Sequence, residues 1–312
     1  MERTTNGPMN ALNYHHLQYF RAVAHEGNLT RAAARLRVAQ SAVSLQVRKL
    51  EDALGHPLFE RRGRRLVLTE AGRIALDHAD AIFAAGDELV STLRDRGRER
   101  LVLRAGAVAT MSRNFQLRFF RPLLGRADVE VVIHSGSVGS LLGALEAHEL
   151  DLVLANAAPR RDAGTACVAH PIATQRVSLV GRPRRGRRPL AELLAEEPLI
   201  LPTQGTVIRA DFDALADRLG VRPRIAAEVD DMAMLRLLAR ERVGLAVVPA
   251  IVVRDELDTG SLAEVAPIPG LRETYYALTL TRRFPNPLIR PLLAEARATF
   301  GADDAAAGPG RK

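Results

Sequence analysis

The sequence predicts an α/β protein with a small, basic, mostly helical head, a bridging helix and a larger body of alternating strands and helices. Three observations lead there. The chain has 312 residues, and at ~150 residues per domain that length fits about two domains. Residues 1–73 hold 12 Lys and Arg against 6 Asp and Glu, so they carry +6 of the net +8 and the other residues are nearly neutral. From about residue 98 the pattern changes from helical periodicity to short apolar runs such as LVLRAGAV, VEVVIH, DLVLAN, PLILPT and GLAVVPA. Such runs separated by helical stretches are the signature of a mostly parallel sheet.

Composition removes several classes. Cys167 is the single cysteine, which excludes an intrachain disulfide framework and a cysteine-based zinc or iron–sulfur site. No apolar run reaches the ~18 residues of a membrane span, and the start, MERTTNGPMN, has no apolar core of the signal-peptide kind. A cytoplasmic protein without cofactor, metal or membrane partner is expected. A basic first quarter points to nucleic acid. Only Lys49 and Lys312 are lysines, so the same charge also fits an arginine bias from GC-rich coding.

The head reads element by element. Leu17, Phe20, Val23 and Ala24 mark one helical face, and Gly27 is a natural C-terminal breaker. Asn28 or Thr30 caps a second helix, RAAARLR, whose Ala32, Ala33 and Leu36 permit close packing. A third helix, QSAVSLQVRKLEDALG, has Val43, Val47, Leu50 and Leu54 as its inner stripe and Ser41, Ser44, Gln46 and Arg48 off it. A short helix, a tight turn and a helix with a polar N-terminal end is the helix-turn-helix arrangement, in which the second helix presents its first turns to base edges. HPLFERRGRRLVLT then reads as a short β-hairpin with a basic tip, suited to phosphates or the minor groove. A plain three-helix bundle with a solvated Arg-rich turn is the competing reading of each piece.

Taken together, residues 12–69 resemble the winged helix-turn-helix of LysR-type transcriptional regulators. The resemblance rests on Leu17-Gln18-Tyr19-Phe20, on Ala32-Ala33, on Gln40 through Leu50-Glu51, and on Leu58-Phe59, Arg61, Arg64, Leu68-Thr69, Ala71 and Gly72 in the wing. It implies contact with double-stranded DNA through Gln40, Ser41, Ala42, Ser44, Gln46 and Arg48, and through Arg61, Arg64 and Arg65. It places Thr30 and Arg31 near a phosphate, where a helix N-terminus favours anions. Two departures stand out. Ser41 takes a position where many members carry proline, and Leu45 one where they carry a basic residue, so no base preference transfers.

Residues 70–97 form an amphipathic helix with Ala75, Ala79, Ile82, Ala85 or Gly86, Leu89 and Leu93 at heptad-like steps. Such a stripe supports a dimer. The resemblance implies an antiparallel linker-helix pair and a homodimer or a homotetramer built as a dimer of dimers. Paired heads match a pseudo-palindromic site.

The resemblance further implies a periplasmic-binding-protein-like α/β effector domain over 100–302. Subdomain I takes 100–173 and 277–302, subdomain II takes 174–276, and a small-molecule or ion effector sits in the cleft at the carboxyl ends of strands. Residues 303–312 are expected to be a disordered tail. The loops that fit the cleft carry Thr110, Met111 and Ser112, then Ser135 and Ser137, then Thr203, Gly205 and Thr206, and on the far side Asp230, Asp231, Met232 and Val248. Each also fits ordinary cap and turn chemistry. Asp230-Asp231 reads first as a helix cap and secondly as oxygen ligands for a hard cation.

Within the family the chain is most similar to the branch that activates a sodium/proton antiporter gene, through Asn13-Tyr14-His15-His16-Leu17, Arg61-Arg62-Gly63-Arg64 and Asp230-Asp231-Met232-Ala233. No enzyme motif is present: there is no GxSxG, HExxH or GxxxxGK[ST] run. Cys167 with His170 three residues on is a redox or nucleophile pair only if the geometry joins them. The expected function is therefore an effector-controlled DNA-binding regulator that acts on RNA polymerase, not an enzyme. The alternative is a solute-binding module or enzyme on a binding-protein scaffold, its basic head serving oligomerisation.

Overall fold

Asn13 opens the head. Its side-chain carbonyl accepts the backbone N–H groups of His15 and His16 at 2.9 and 3.2 Å, which satisfies donors that a helix start leaves bare. In this computed structural model, which describes residues 12–62, 65–94, 99–159, 167–184, 186 and 188–306, three helices follow. α1 (Tyr14–Glu26) stops at Gly27 with φ 61°. α2 (Leu29–Leu36) is capped by Asn28, which accepts from the N–H groups of Thr30 and Arg31. α3 (Gln40–Leu54) stops at Gly55 with φ 71°. Leu17, Phe20, Val23, Ala32, Ala33, Val43, Val47 and Leu50 make one core.

The wing is clipped to that core by polar bonds at fixed sequence positions. β1 (Phe59–Arg62) pairs antiparallel with β2 (Arg65–Leu68), Phe59 opposite Leu68 and Arg62 opposite Arg65. The Glu51 carboxylate accepts the N–H groups of Leu58 and Phe59 at 2.7 and 3.3 Å. The Thr69 hydroxyl donates to Pro57 O at 2.7 Å and accepts from Gly72 N at 2.9 Å. Gly72 lies so close to this turn that a Cβ there would sit 2.0 Å from Leu58 O.

α4 (Glu70–Arg94) follows the wing. Its packing differs from the single stripe expected. Gly72, Ala79 and Phe83 face the head's core, while Ile74, Ile82, Leu89 and Leu93 lie exposed. The sequence stripe had merged two lines, because small alanines satisfy either face. Leu12, Leu54, Ile74, Ile82, His56 and His78 are among the residues that border an open groove of about 680 Å³ beside α4.

The chain divides into units Met1–Val90 and Ser91–Lys312. In the second unit β3 (Leu101–Val108), α5 (Arg113–Phe120), β4 (Val129–Gly136), α6 (Val138–Glu146) and β5 (Leu152–Ala155) form a first α/β group. β6 (Cys167–Gly181) leads to a second group. This comprises α7 (Leu190–Glu196), β7 (Pro198–Pro202), α8 (Val207–Leu219), β8 (Arg224–Val229), α9 (Met232–Arg240) and β9 (Leu245–Pro249), then a 3-10 turn and α10 (Arg254–Asp258). β10 (Ala263–Leu280) returns, and α11 (Ile289–Ala306) closes the chain. The sheet order is β4-β3-β5-β10-β6-β9-β7-β8. β3 is parallel to β4 and β5, and β7 is parallel to β8 and β9. The two long strands pair antiparallel with each other and belong to both groups. α11 continues to Ala306, past the 302 limit set for the expected tail, and 307–312 lie outside the described residues.

Gly72→Ala is expected to destabilise the head by about 1–3 kcal/mol, the usual cost of overpacking a closed site. Gly139→Ala is the control: it lies in α6 with nothing within 4 Å of a new Cβ, and it should be neutral or stabilise by up to about 1 kcal/mol. Urea unfolding followed by circular dichroism compares the two; equal midpoints would contradict the clip.

Candidate nucleic-acid interface and ligand cleft

The buried stripe of α3 leaves the opposite face free. At about 100° per residue, Ser41, Leu45 and Arg48 fall within about 60° of one another at the centre of that face, and all three are exposed. Ser44 and Ala42 flank them, half-buried, and Gln40 is exposed at the start. Gln46 lies at the edge of the face, and its Oε1 is buried without a partner among the described residues. Ala39 holds the N-cap position of α3 and makes no side-chain cap bond; the Ala42 N–H turns back to the Ala39 carbonyl at 3.0 Å, and no side chain of the N-cap covers the N–H groups ahead of it. In α2 the opposite holds. The N–H groups of Thr30 and Arg31 are bound by Asn28, and the Arg31 guanidinium donates to the Glu26 carbonyl. Arg61 is exposed on the wing and Arg65 opens β2, while Arg64 lies outside the described residues.

The head is braced behind this face. Arg21 Nε donates to Asp80 Oδ1 at 2.5 Å and His25 Nε2 lies 2.9 Å from the same oxygen, tying α1 to α4. Burial alone would raise the Asp80 carboxyl, but the bonds from Arg21 and His25 outweigh it and hold it below the ordinary carboxylate value.

The second unit has its own focus. Strand register brings the carboxyl ends of β5 and β9 toward the middle of the β6–β10 ribbon, since Ala155 pairs with Tyr276 and Pro249 pairs with Val177. The ribbon between those points holds Thr174, Gln175, Arg176, Arg272, Glu273 and Thr274, with Arg176 directly opposite Arg272 and Gln175 opposite Glu273. Successive residues alternate faces. The exposed face carries the two arginines and the Thr174–Thr274 hydroxyl bond of 3.0 Å. The other face carries Gln175, whose Oε1 is buried and unpartnered among the described residues, and Glu273, which is 4% exposed.

Glu273 is bonded by neutral groups: Tyr275 Oη donates at 2.5 Å and Asn156 Nδ2 at 3.3 Å. Asn156 also donates to Thr110 Oγ1 at 3.3 Å. The Tyr275 ring stacks on Phe115 at 4.1 Å, and Phe115 stacks in turn on Phe300. Burial in this aromatic surrounding pushes the carboxyl up to about 6, against the pull of the Tyr275 and Asn156 bonds.

The loop residues expected at the cleft divide into groups. Ser112, Ser137, Thr206 and Asp231 are N-caps, their oxygens accepting from Phe115, Ser140, Arg209 and Ala233 N–H groups. Met111, Met232 and Val248 are buried core side chains. Thr110 and Thr203 are half-buried, Ser135 and Asp230 are exposed, and Gly205 turns at φ 92°. Buried Arg209 holds this side together, bonding Asp213 at 2.9 Å, Glu228 at 2.8 Å and the Pro202 carbonyl at 3.3 Å. The mid-ribbon residues were missed in the sequence, where charged residues inside a strand gave no pairing signal. The chain brings no group of three or more metal-capable His, Cys, Asp or Glu together among the described residues. Cys167 and His170 are three apart on one strand and so point to opposite faces. Burial raises the Cys167 thiol, which is the reverse of an activated nucleophile.

Two family models match. Residues 14–73 match the bacterial regulatory helix-turn-helix protein of the lysR family, and residues 96–301 match the LysR substrate binding domain. Among similar proteins, the RuBisCO operon transcriptional regulator of Allochromatium vinosum is 29% identical over 83% of this chain and 87% of its own. The transcriptional activator protein NhaR of Escherichia coli is 25% identical over 90% and 94%. The regulator ClcR of Pseudomonas putida is 30% identical over 77% and 84%. Similar folds include DarR of Vibrio fischeri, solved with DNA, at a TM-score of 0.51, 20% identity and coverage of 91% and 98%. OxyR of Pseudomonas aeruginosa matches at 0.51, 22%, 91% and 94%. No helix among the described residues is long and apolar enough to cross a membrane.

The Glu273 carboxyl sets a pH dependence of known sign. Its folded-state value is raised above the ordinary one, so its stabilising contribution is complete below about pH 4.5 and is lost as pH rises through about 6. Glu273→Gln should therefore gain stability relative to the parent by about 2 kcal/mol between pH 4.5 and pH 7.5. Urea midpoints at the two pH values test this; curves that stay parallel would refute it.

Proposed function

We propose, from the premise that this chain belongs to the LysR family of bacterial regulatory helix-turn-helix proteins, that it reads duplex DNA with α3 and the wing under control of a ligand in its α/β unit. It is a transcriptional regulator with an effector-binding domain, not an enzyme. The observation that carries the DNA reading is the exposed Ser41–Leu45–Arg48 face on a helix without a side-chain N-cap, beside exposed Arg61. In this reading Gln40, Ser41, Ala42, Ser44, Gln46 and Arg48 meet bases and nearby phosphates. Arg61, Arg64 and Arg65 hold the backbone from the wing, and Thr30 and Arg31 approach a phosphate from α2.

The protein works in the cytoplasm as a homodimer or a dimer of dimers. Support comes from the exposed Ile74, Ile82, Leu89 and Leu93 on α4 and the apolar groove beside it, which a second copy would cover. Paired heads gain affinity by effective concentration. The effector, a small molecule or an ion, binds where the strand ends converge on the β6–β10 ribbon. In this reading Thr110, Ser135, Thr203, Gly205 and Asp230 contact it, with Thr174, Arg176 and Arg272 as its floor. Ser112, Ser137, Thr206 and Asp231 shape the loops as caps, and Met111, Met232 and Val248 back them. Differential binding of effector to two arrangements of the unit shifts their population, and with it the DNA geometry and the contact with RNA polymerase.

A finer reading is activation of a sodium/proton antiporter gene. Asn13–Leu17 and Asp230–Ala233 favour it, as does the likeness to NhaR over 90% of the chain. The RuBisCO operon regulator is similar to the same extent, so the target gene is chosen by experiment. Fluorescence anisotropy on DNA from upstream of the protein's own gene, against scrambled DNA at two salt concentrations, tests the regulator. Na⁺ or Li⁺ in place of K⁺ at constant ionic strength tests the finer reading, which a missing cation response would remove.

Ser44→Ala should weaken operator binding by about 1–3 kcal/mol, roughly 5- to 150-fold, with nonspecific binding unchanged. Arg61→Ala should weaken binding to both DNAs and reduce the salt slope by about 1, because one phosphate contact is lost. Unchanged operator affinity in both variants would move the interface elsewhere.

A further inference from the structure

The structure assigns Leu45 as the residue that reads a thymine, through its C5-methyl group, in each half of the DNA site. This rests on the proposed regulator reading. Leu45 is 52% exposed at the centre of the free face of α3, one turn from Ser41 on one side and one turn from Arg48 on the other. Its Cβ direction is set by a helix whose other face is locked into the core through Val43, Val47 and Leu50. Leu45 is not among the residues of the head's hydrophobic cluster, and about half of its surface faces outward.

The neighbours define what that surface can meet. Ser41, Ala42 and Ser44 are short, so they let the helix approach closely and leave Leu45 the most protruding apolar group on the face. Arg48 supplies a positive charge one turn on, and the first N–H groups of α3, which have no side-chain cap, lie one turn before. Both suit phosphates on the two walls of a groove. Between them the helix offers a branched hydrocarbon to the groove floor. The major groove presents acceptors and donors at every base pair but only one apolar group, the thymine methyl. A leucine against any polar base edge strips water from it without returning a hydrogen bond. The same contact therefore selects for thymine and against the other bases. Gln46, which carries the amide best suited to adenine, is turned to the edge of the face with its Oε1 buried. Leu45 rather than Gln46 is thus the central reader.

The test starts with the full-length protein and a random duplex library, bound, recovered and sequenced to define the half-site. Each thymine of that site is then replaced singly by deoxyuridine, which removes the methyl and keeps every hydrogen-bonding edge. One position per half-site should lose affinity roughly fourfold, the worth of one buried methyl-sized group. In Leu45→Ala, a change at an exposed helix position that leaves the fold intact, the same replacement should cost less than about 1.5-fold while the other positions respond as in the parent. 5-Methylcytosine at that position should bind better than cytosine in the parent and equally in the variant. Deoxyuridine losses identical in parent and variant, or absent from both, would overturn the assignment and leave the regulator standing. Equal binding of library winners and scrambled DNA would overturn the regulator reading and the assignment together.

Discussion

The antiparallel pairing of β6 with β10 is what the larger unit depends on. Among the described residues, these two strands link β3–β5 on one side of the sheet to β7–β9 on the other. Their 13 paired positions run from Ala263–Gly181 to Leu280–Cys167, with register shifts between Glu264 and Ala266, between Pro267 and Arg272 and between Tyr275 and Tyr276. The last two flank the stretch between Val177, where the β9 pairing ends, and Tyr276, where the β5 pairing begins. A bulge kinks a strand and increases its local twist, so the ribbon is bent where the two strand groups meet.

That joint is polar at its centre and apolar around it. Glu273 sits against the stacked Tyr275, Phe115 and Phe300, and a lone carboxylate in such a place costs stability unless bonded or protonated. Its link through Asn156 to Thr110 connects the ribbon to the end of β3, where a ligand would arrive. The directly opposed Arg176 and Arg272 add like charge on the outer face. Cross-strand like charges destabilise a ladder. Val177, Leu179, Val180, Ala277 and Leu278, on either side of this stretch, are fully buried.

The head was legible because each of its elements is short and its signals are local. Asn28, Gly27, Gly55 and the alanine pair decide caps, stops and close packing within a few residues, and a sequence prints them directly. The wing was legible through residues whose reason appears only in three dimensions: Glu51 and Gly72 hold the turn at Leu58 by a carboxylate and by the lack of a side chain. The larger unit was harder to read. Parallel strands buried on both faces give unbroken apolar runs with no indication of neighbours, so the runs located β3, β5, β7 and β9 but not the sheet order. Cleft residues were harder still. Ser112, Ser137, Thr206 and Asp231 have the composition of a binding loop because capping needs the same oxygen atoms, and only their hydrogen-bond partners separate the two roles.

Leu45 shows the limit from the other side. In the sequence it registers as a missing basic residue, a defect in an otherwise polar helix face. On the helix it is an exposed apolar group near the centre of that face, while the Gln46 amide lies at the edge with its Oε1 buried. Position around the helix axis, and not residue chemistry alone, determines which side chain reaches the groove floor. A polar residue at the rim holds a phosphate and an apolar one at the centre excludes water from whatever lies beneath it. A regulator with such a centre gains its discrimination by leaving wrong bases unsatisfied. Its specificity then depends on how rigidly α3 is set in the head, and so on the Asp80 bond with Arg21 and His25 and on the Glu51 clip behind the wing.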